Sequence, residues 1–286
     1  ESSPCGELLG QVSMLMPWTA PLRAHPRHGG ALCEQPQGGG ATRVGPCGRR
    51  PCAELNSLLQ LGEAPDRAEV GAALAGTLDA WAGNPRFATA TLSGLARERR
   101  PQVALAVLEC MRGAAVEVNA FHCAAALSAC EKGSRQGDWT AGPWACALGL
   151  LHRFPDFQVA PDTVSCNAAV SACEKGGQWR AALTLLGSIH GFRLAPDVIG
   201  CNAAVSACEK GGRWQSALAV LGSMPDLQVV PDVISLSAAV SACGAAGRWQ
   251  LACALFAAML AYRATPNTVS YNAAIGACEA GGRWQP

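Results

Sequence analysis

In the stretch from Thr163, the apolar residues Cys166, Ala169, Val170 and Cys173 fall at i, i+3, i+4 and i+7, one face of an amphipathic helix. Gly176-Gly177 interrupts the pattern. A second helical face follows, made of Trp179, Ala182, Leu183, Leu186 and Ile189, and predicts a second helix over about 178–190. Gly191 to Asp197 then reads as a loop, with Pro196 and Asp197 launching the next helix and Asp as a good N-cap. The pattern then recurs. Tryptophan returns at Trp144, Trp179, Trp214, Trp249 and Trp284, proline at Pro161, Pro196, Pro231 and Pro266, and cysteine at Cys173, Cys208, Cys243 and Cys278, each 35 residues after the last. A period of this length predicts an all-α solenoid of stacked helical hairpins, in which each hairpin buries its apolar faces only against its neighbours.

The units run 85–119, 120–162, 163–197, 198–232, 233–267 and a partial 268–286. The first is weak. The second is 43 residues long, with eight extra residues near Ser134–Gly142 that predict a loop between its helices. Residues 53–84 carry two short helical patterns, with Val70, Leu74, Leu78 and Trp81 on one face, and read as a degenerate repeat or cap. Residues 1–52 are rich in Gly, Pro and Arg without periodicity and read as a disordered or processing segment. The chain starts at Glu1 and stops within a unit, so a fragment of a longer protein is expected.

Composition narrows the function. Half the residues are hydrophobic and the net charge is +1, so there is no gross basic footprint. No apolar run reaches transmembrane length and no secretory signal is seen, so no membrane partner is expected. The 15 cysteines are not a disulfide scaffold, because Cys166 and Cys173 are two helical turns apart, roughly 10 Å, too far to bond. They read as small core residues in a reducing compartment. Cys33, Cys47, Cys52, His25 and His28 match no strong zinc spacing, and no metal, cofactor or catalytic motif is found, so no enzyme is expected.

The run V-S-C-N-A-A-V-S-A-C-E-K-G-G-Q-W-R-A-A-L-T-L-L from Val164, and V-S-Y-N-A-A-I-G-A-C-E-A-G-G from Val269, resemble the pentatricopeptide repeat in its 35-residue form. The tetratricopeptide repeat has 34 residues and places its tryptophan in the first helix, whereas Trp179 opens the second. The resemblance implies a right-handed superhelix whose first helices line a groove for single-stranded RNA, one base read per unit. It also implies that the fifth and last residues of a unit read the base while the second wedges between bases. Carried over, the readers are Thr89 with Asn119, Asn167 with Asp197, Asn202 with Asp232, and Ser237 with Asn267. Unit 120–162 departs from the pattern, with Ala124 opposite Asp162, and the last unit offers Asn272 alone. The wedges are Val164, Ile199, Ile234 and Val269.

The residues support a binding face on their own, because Val164, Asn167 and Ser171 lie at i, i+3 and i+7 beside the core stripe. Lys132, Lys175 and Lys210 recur near the ends of first helices, where they either contact phosphates or cap the helix dipole. Asp197 and Asp232 are N-caps whether or not they read a base, and Val164 and Ile199 have a plain alternative as packing staples. The tryptophans read as core. The resemblance further implies RNA-processing proteins as partners and a mitochondrial or plastid location, for which residues 1–52, with Arg23, Arg27, Arg43, Arg49 and Arg50 against Glu1, Glu7 and Glu34, offer a faint transit-like bias. The alternative function is a helical scaffold that binds a protein segment, which near-neutral charge favours.

Overall fold

The computed structural model describes residues 53–62, 65–133, 142–192 and 194–282. The insertion at 134–141, residues 1–52 with their Cys and His, and Trp284 lie outside the described residues. The described residues form 14 α-helices and no strand. First helices of the units are α4 (Pro85–Arg97), α6 (Ala120–Lys132), α8 (Thr163–Lys175), α10 (Val198–Lys210), α12 (Val233–Ala245) and α14 (Thr268–Ala280). Second helices are α5 (Pro101–Gly113), α7 (Pro143–His152), α9 (Trp179–Ser188), α11 (Trp214–Ser223) and α13 (Trp249–Ala261). Each interior first helix packs on the first helices before and after it, on its own second helix, and on the second helix of the unit before. This serial packing is an α-solenoid.

The two sequence stripes form the core. Cys166, Ala169, Val170 and Cys173 are fully buried, as are their counterparts Cys201, Ala204, Val205 and Cys208. The repeat cysteines are free thiols, and burial pushes Cys166, Cys173, Cys201 and Cys208 up to about 11. The second helices bury Ala182, Leu186 and Ile189, and also Leu185, which the single stripe did not include. α9 gives way at Ile189–Phe192 to a 3-10 turn.

Where a first helix ends, the two glycines do different work. Gly177, Gly212, Gly247 and Gly282 all have φ between 64° and 68°, the left-handed conformation that L side chains resist. The amide after each of the first three donates back to Cys173, Cys208 and Cys243, closing the helix in a Schellman turn. The preceding glycine is a matter of space. A Cβ at Gly211 would lie 2.5 Å from Cδ1 of Trp179, and one at Gly176 2.6 Å from Cδ1 of Trp144.

The tryptophans are therefore not interior core. Trp144, Trp179, Trp214 and Trp249 are half-buried. Each opens a second helix on the outer side, and Trp144, Trp179 and Trp249 seat an indole edge against the C-cap glycine of the next unit. Arginines cover the outer faces of two of them, Arg213 over Trp179 at 4.9 Å and Arg248 over Trp214 at 5.3 Å.

Residues 53–84 fold as three short helices rather than two, α1 (Ala53–Gln60), α2 (Arg67–Leu74) and α3 (Leu78–Gly83). The stripe Val70, Leu74, Leu78, Trp81 is broken in its middle, because the Thr77 hydroxyl and amide both bond the Leu74 carbonyl. Val70, Leu74 and Trp81 are nevertheless buried, against the start of the array.

Candidate nucleic-acid interface

The first helices present one side to an open groove. At its mouth stand Val164, Ile199, Ile234 and Val269, 65, 61, 60 and 63% exposed. A packing staple would be buried, so these four are not staples. Water contact by a branched aliphatic costs free energy in proportion to its area, yet the array repeats it at every 35-residue step. Phe121, 74% exposed, occupies the same second position in unit 120–162. That unit has Ala124 where the others carry a polar fifth residue, so the motif passes over Phe121, although the period alone points to it.

Below the mouth lie the polar positions, and the structure brings two of the proposed pairs together. Asn167 Nδ2 donates to both carboxylate oxygens of Asp197 at 2.9 Å, and Asn202 Nδ2 to both of Asp232 at 3.1 Å. Each Asp is at the same time the N-cap of the next first helix. Asp197 accepts from the Gly200 amide at 2.9 Å, and Asp232 from those of Ile234 and Ser235 at 3.0 and 2.9 Å. Cap and pair are thus one device that ties the fifth residue of a unit to the start of the next. The asparagines sit deeper than their helix face implies, at 7 and 9% exposure. Their Oδ1 atoms are buried without a hydrogen-bond partner, and that of Asn167 fills the space where a Cβ at position 200 would stand. Gly200 leaves that space to the Asn167 amide, whereas Asn202 reaches a similar depth with Ser235 at the corresponding position. Turning the amide over would set Oδ1 against a carboxylate, so the donor edge is fixed toward the Asp.

The other pairs are connected differently. Ser237 Oγ lies 2.6 Å from the Val233 carbonyl oxygen and 2.7 Å from Ser270 Oγ, which lies 3.0 Å from Asn267 Oδ1, and the two hydroxyl protons serve two of these three contacts at a time. Ser237 and Asn267 are linked through Ser270, which also closes the capping box of α14 with Asn267. Thr89 Oγ1 donates back to the Pro85 carbonyl at 3.2 Å, and His122 Nε2 bonds the same carbonyl oxygen at 3.0 Å. Asn119 caps α6 through the His122 amide. Asp162 caps α8 through the Ser165 amide, 2.8 Å, with Ala124 offering it nothing. Asn272 is exposed on α14.

Of the lysines, Lys175 pairs with Glu131 at 2.8 Å and Lys210 with Glu174 at 2.6 Å, each reaching back to the preceding unit. Lys132 is exposed at the end of α6. Between α10, α12 and α14 the groove opens to about 540 Å³, lined by Ser206, Glu209, Ile234, Ser237, Asn267 and Asn272 among others. The wedge and reader positions of two units therefore share one concavity. Among the described residues no group of His, Cys, Asp or Glu is arranged to hold a metal, and no helix is long and apolar enough to cross a membrane.

Comparison with known proteins bears on the same units. The pentatricopeptide repeat domain model matches residues 219–281, and the PPR repeat model matches residues 200–229. The crystal structure of the pentatricopeptide repeat protein PPR10 from maize is similar over 77% of this chain, with a TM-score of 0.55 and 23% identity. This chain covers 33% of that protein, about a third of its length. The PPR domain of Arabidopsis thaliana protein-only RNase P 1 (PRORP1), crystallised in complex with tRNA, is similar over 63% of this chain and 91% of its own, with a TM-score of 0.53 and 13% identity. No curated protein matches in a sequence comparison. At such identities the solved structures speak for the fold alone, while the family models identify pentatricopeptide repeats within residues 200–281, in phase with the 35-residue period and the paired helices.

Proposed function

We propose that the groove binds single-stranded RNA and reads bases through the residue pairs of successive units. The observation that carries this reading is the column of exposed aliphatics, Val164, Ile199, Ile234 and Val269, set in one line beside polar residues. Branched apolar side chains spaced along a groove can pack against the faces of unstacked bases, and polar groups between them fit base edges. The Asn–Asp pairs supply this edge in two adjacent units. The carboxylate holds the amide donor in place, so the pair meets a base as a unit whose geometry is fixed before binding. The comparison structure of the PRORP1 domain with tRNA is in keeping with RNA as the ligand class.

On the family resemblance, Asn with Asp favours uridine and Ser or Thr with Asn favours adenine. Units 85–119 to 233–267 then prefer A, an unread base, U, U and A. The action is binding, which shields or remodels RNA for processing, stability, editing or translation in a mitochondrion or plastid. Selection from a randomised single-stranded RNA pool tests this. Enrichment of adjacent uridines is expected. A pool that stays unselected, while the chain captures a protein segment through the same groove, would establish the scaffold alternative.

A further inference from the structure

Near the ends of the first helices an ionic ladder runs along the groove. Its acid positions are Glu131, Glu174, Glu209, Gly244 and Glu279, and the residues after them are Lys132, Lys175, Lys210, Ala245 and Ala280. Each rung joins the acid of one unit to the lysine of the next, as Glu131–Lys175 and Glu174–Lys210 show. Ser171 adds a hydrogen bond to Glu131 at 3.1 Å. These two rungs are neutral.

The ladder is uneven at its ends. The position before Lys132 in the ladder is Ala96, which gives that lysine no acid. The position after Glu209 is Ala245, and Glu209 has no ion pair among the described residues. Its side chain lines the open groove with Ser206, Ser237 and Ser241. Packing accounts for the missing acid at Gly244, though not for the alanine at exposed position 245. A Cβ at Gly244 would lie 2.7 Å from Cβ and 3.0 Å from Cα of Ala277, so α12 and α14 approach too closely for an acidic side chain there. Ladder charge therefore passes from positive at α6, through neutral rungs, to negative at α10.

We propose that Glu209, uncompensated because Ala245 stands where a lysine would, limits the hold of the groove on a polyanion. The phosphate backbone of a bound strand is held toward the α6 end and repelled between α10 and α12. The biological ligand rests on the RNA reading given above, but the charge argument does not depend on base recognition.

Two polyanions separate the claims. Heparin carries no bases, and the single-stranded RNA selected above carries both phosphates and bases. Ala245→Lys and Glu209→Gln should each tighten binding to both about threefold at low salt, the scale of a partly exposed charge pair. Ala245→Glu and Lys132→Gln should weaken both to a similar extent. The differences should fade toward 1 M salt, where the Debye length falls to about 3 Å. Residue 245 is exposed at a helix end, so the folds are expected to be alike, and thermal melts of each variant check this. If the heparin order holds and the RNA shows no base preference, base reading falls and the charge proposal stands. If base preference is intact and all four variants bind heparin as the parent does, the charge proposal is overturned.

Discussion

At the scale of single residues, several side chains serve two neighbours at once. His122 is the clearest. Its Nδ1 accepts from the Asn119 amide at 3.2 Å, closing a capping box on α6, while its Nε2 donates to the Pro85 carbonyl of α4 at 3.0 Å. Both bonds need the neutral ring with the proton on Nε2. Burial lowers its affinity for a proton, opposed in part by the Pro85 bond. The unfolded chain then binds the proton more readily than the native one, so stability from this residue is full above about pH 6.5 and declines as pH falls below it. Thermal melting between pH 7.5 and 5 should show this decline, and His122→Gln should flatten it; an unchanged slope in the variant would assign the decline elsewhere. Asn167 and Asn202 illustrate what sequence reading leaves out. Their helix face is legible from spacing, but their depth is not. Depth depends on how near the next first helix comes, which for Asn167 is set at Gly200 in the following unit. The lysine partners are hidden for the same reason, since Glu131–Lys175 and Glu174–Lys210 join residues in different units.

At the scale of elements, the hairpin is legible because two helical faces and a glycine break repeat in phase, so chance agreement at one unit is checked by the next. The helix-ending glycines carry the sharpest prediction. Gly212 has φ 65°, and a side-chain carbon added there would meet nothing within 4 Å, so its constraint is purely conformational. Gly212→Ala should cost about 1–2 kcal/mol, read as a lower melting temperature. The first glycine of the pair is less strict, as Ala246 shows at the corresponding place. A melting temperature unchanged by Gly212→Ala would mean the Schellman turn is not holding the helix end. Periodicity makes the tryptophans read as core, yet it records only that a residue meets the same surroundings in each unit. Those surroundings are a junction between units, half-open and covered by Arg213 and Arg248 for Trp179 and Trp214.

At the scale of the whole molecule, stacking converts short-range preferences into a long groove. Every interior first helix is held by neighbours on both sides, so its remaining side is presented in register with the rest. The aliphatic column, the Asn–Asp pairs and the ionic ladder are three lines along that groove, at its mouth, beneath it and toward the helix ends. Units 163–197 and 198–232 each have all three elements, and the second of them combines Ile199, Asn202 with Asp232, and Lys210 paired to Glu174. Either unit can test base reading, and 198–232 serves here. Electrophoretic mobility shifts with RNAs that differ only at the base facing this unit should show tighter binding to U than to A by about tenfold, since a mismatch leaves a buried polar group unpaired at about 1–3 kcal/mol. Asn202→Ser with Asp232→Asn should move the preference at that one base to A and leave the others alone. Equal binding of U and A by the parent chain, in conditions where binding is seen, would contradict base reading by the array.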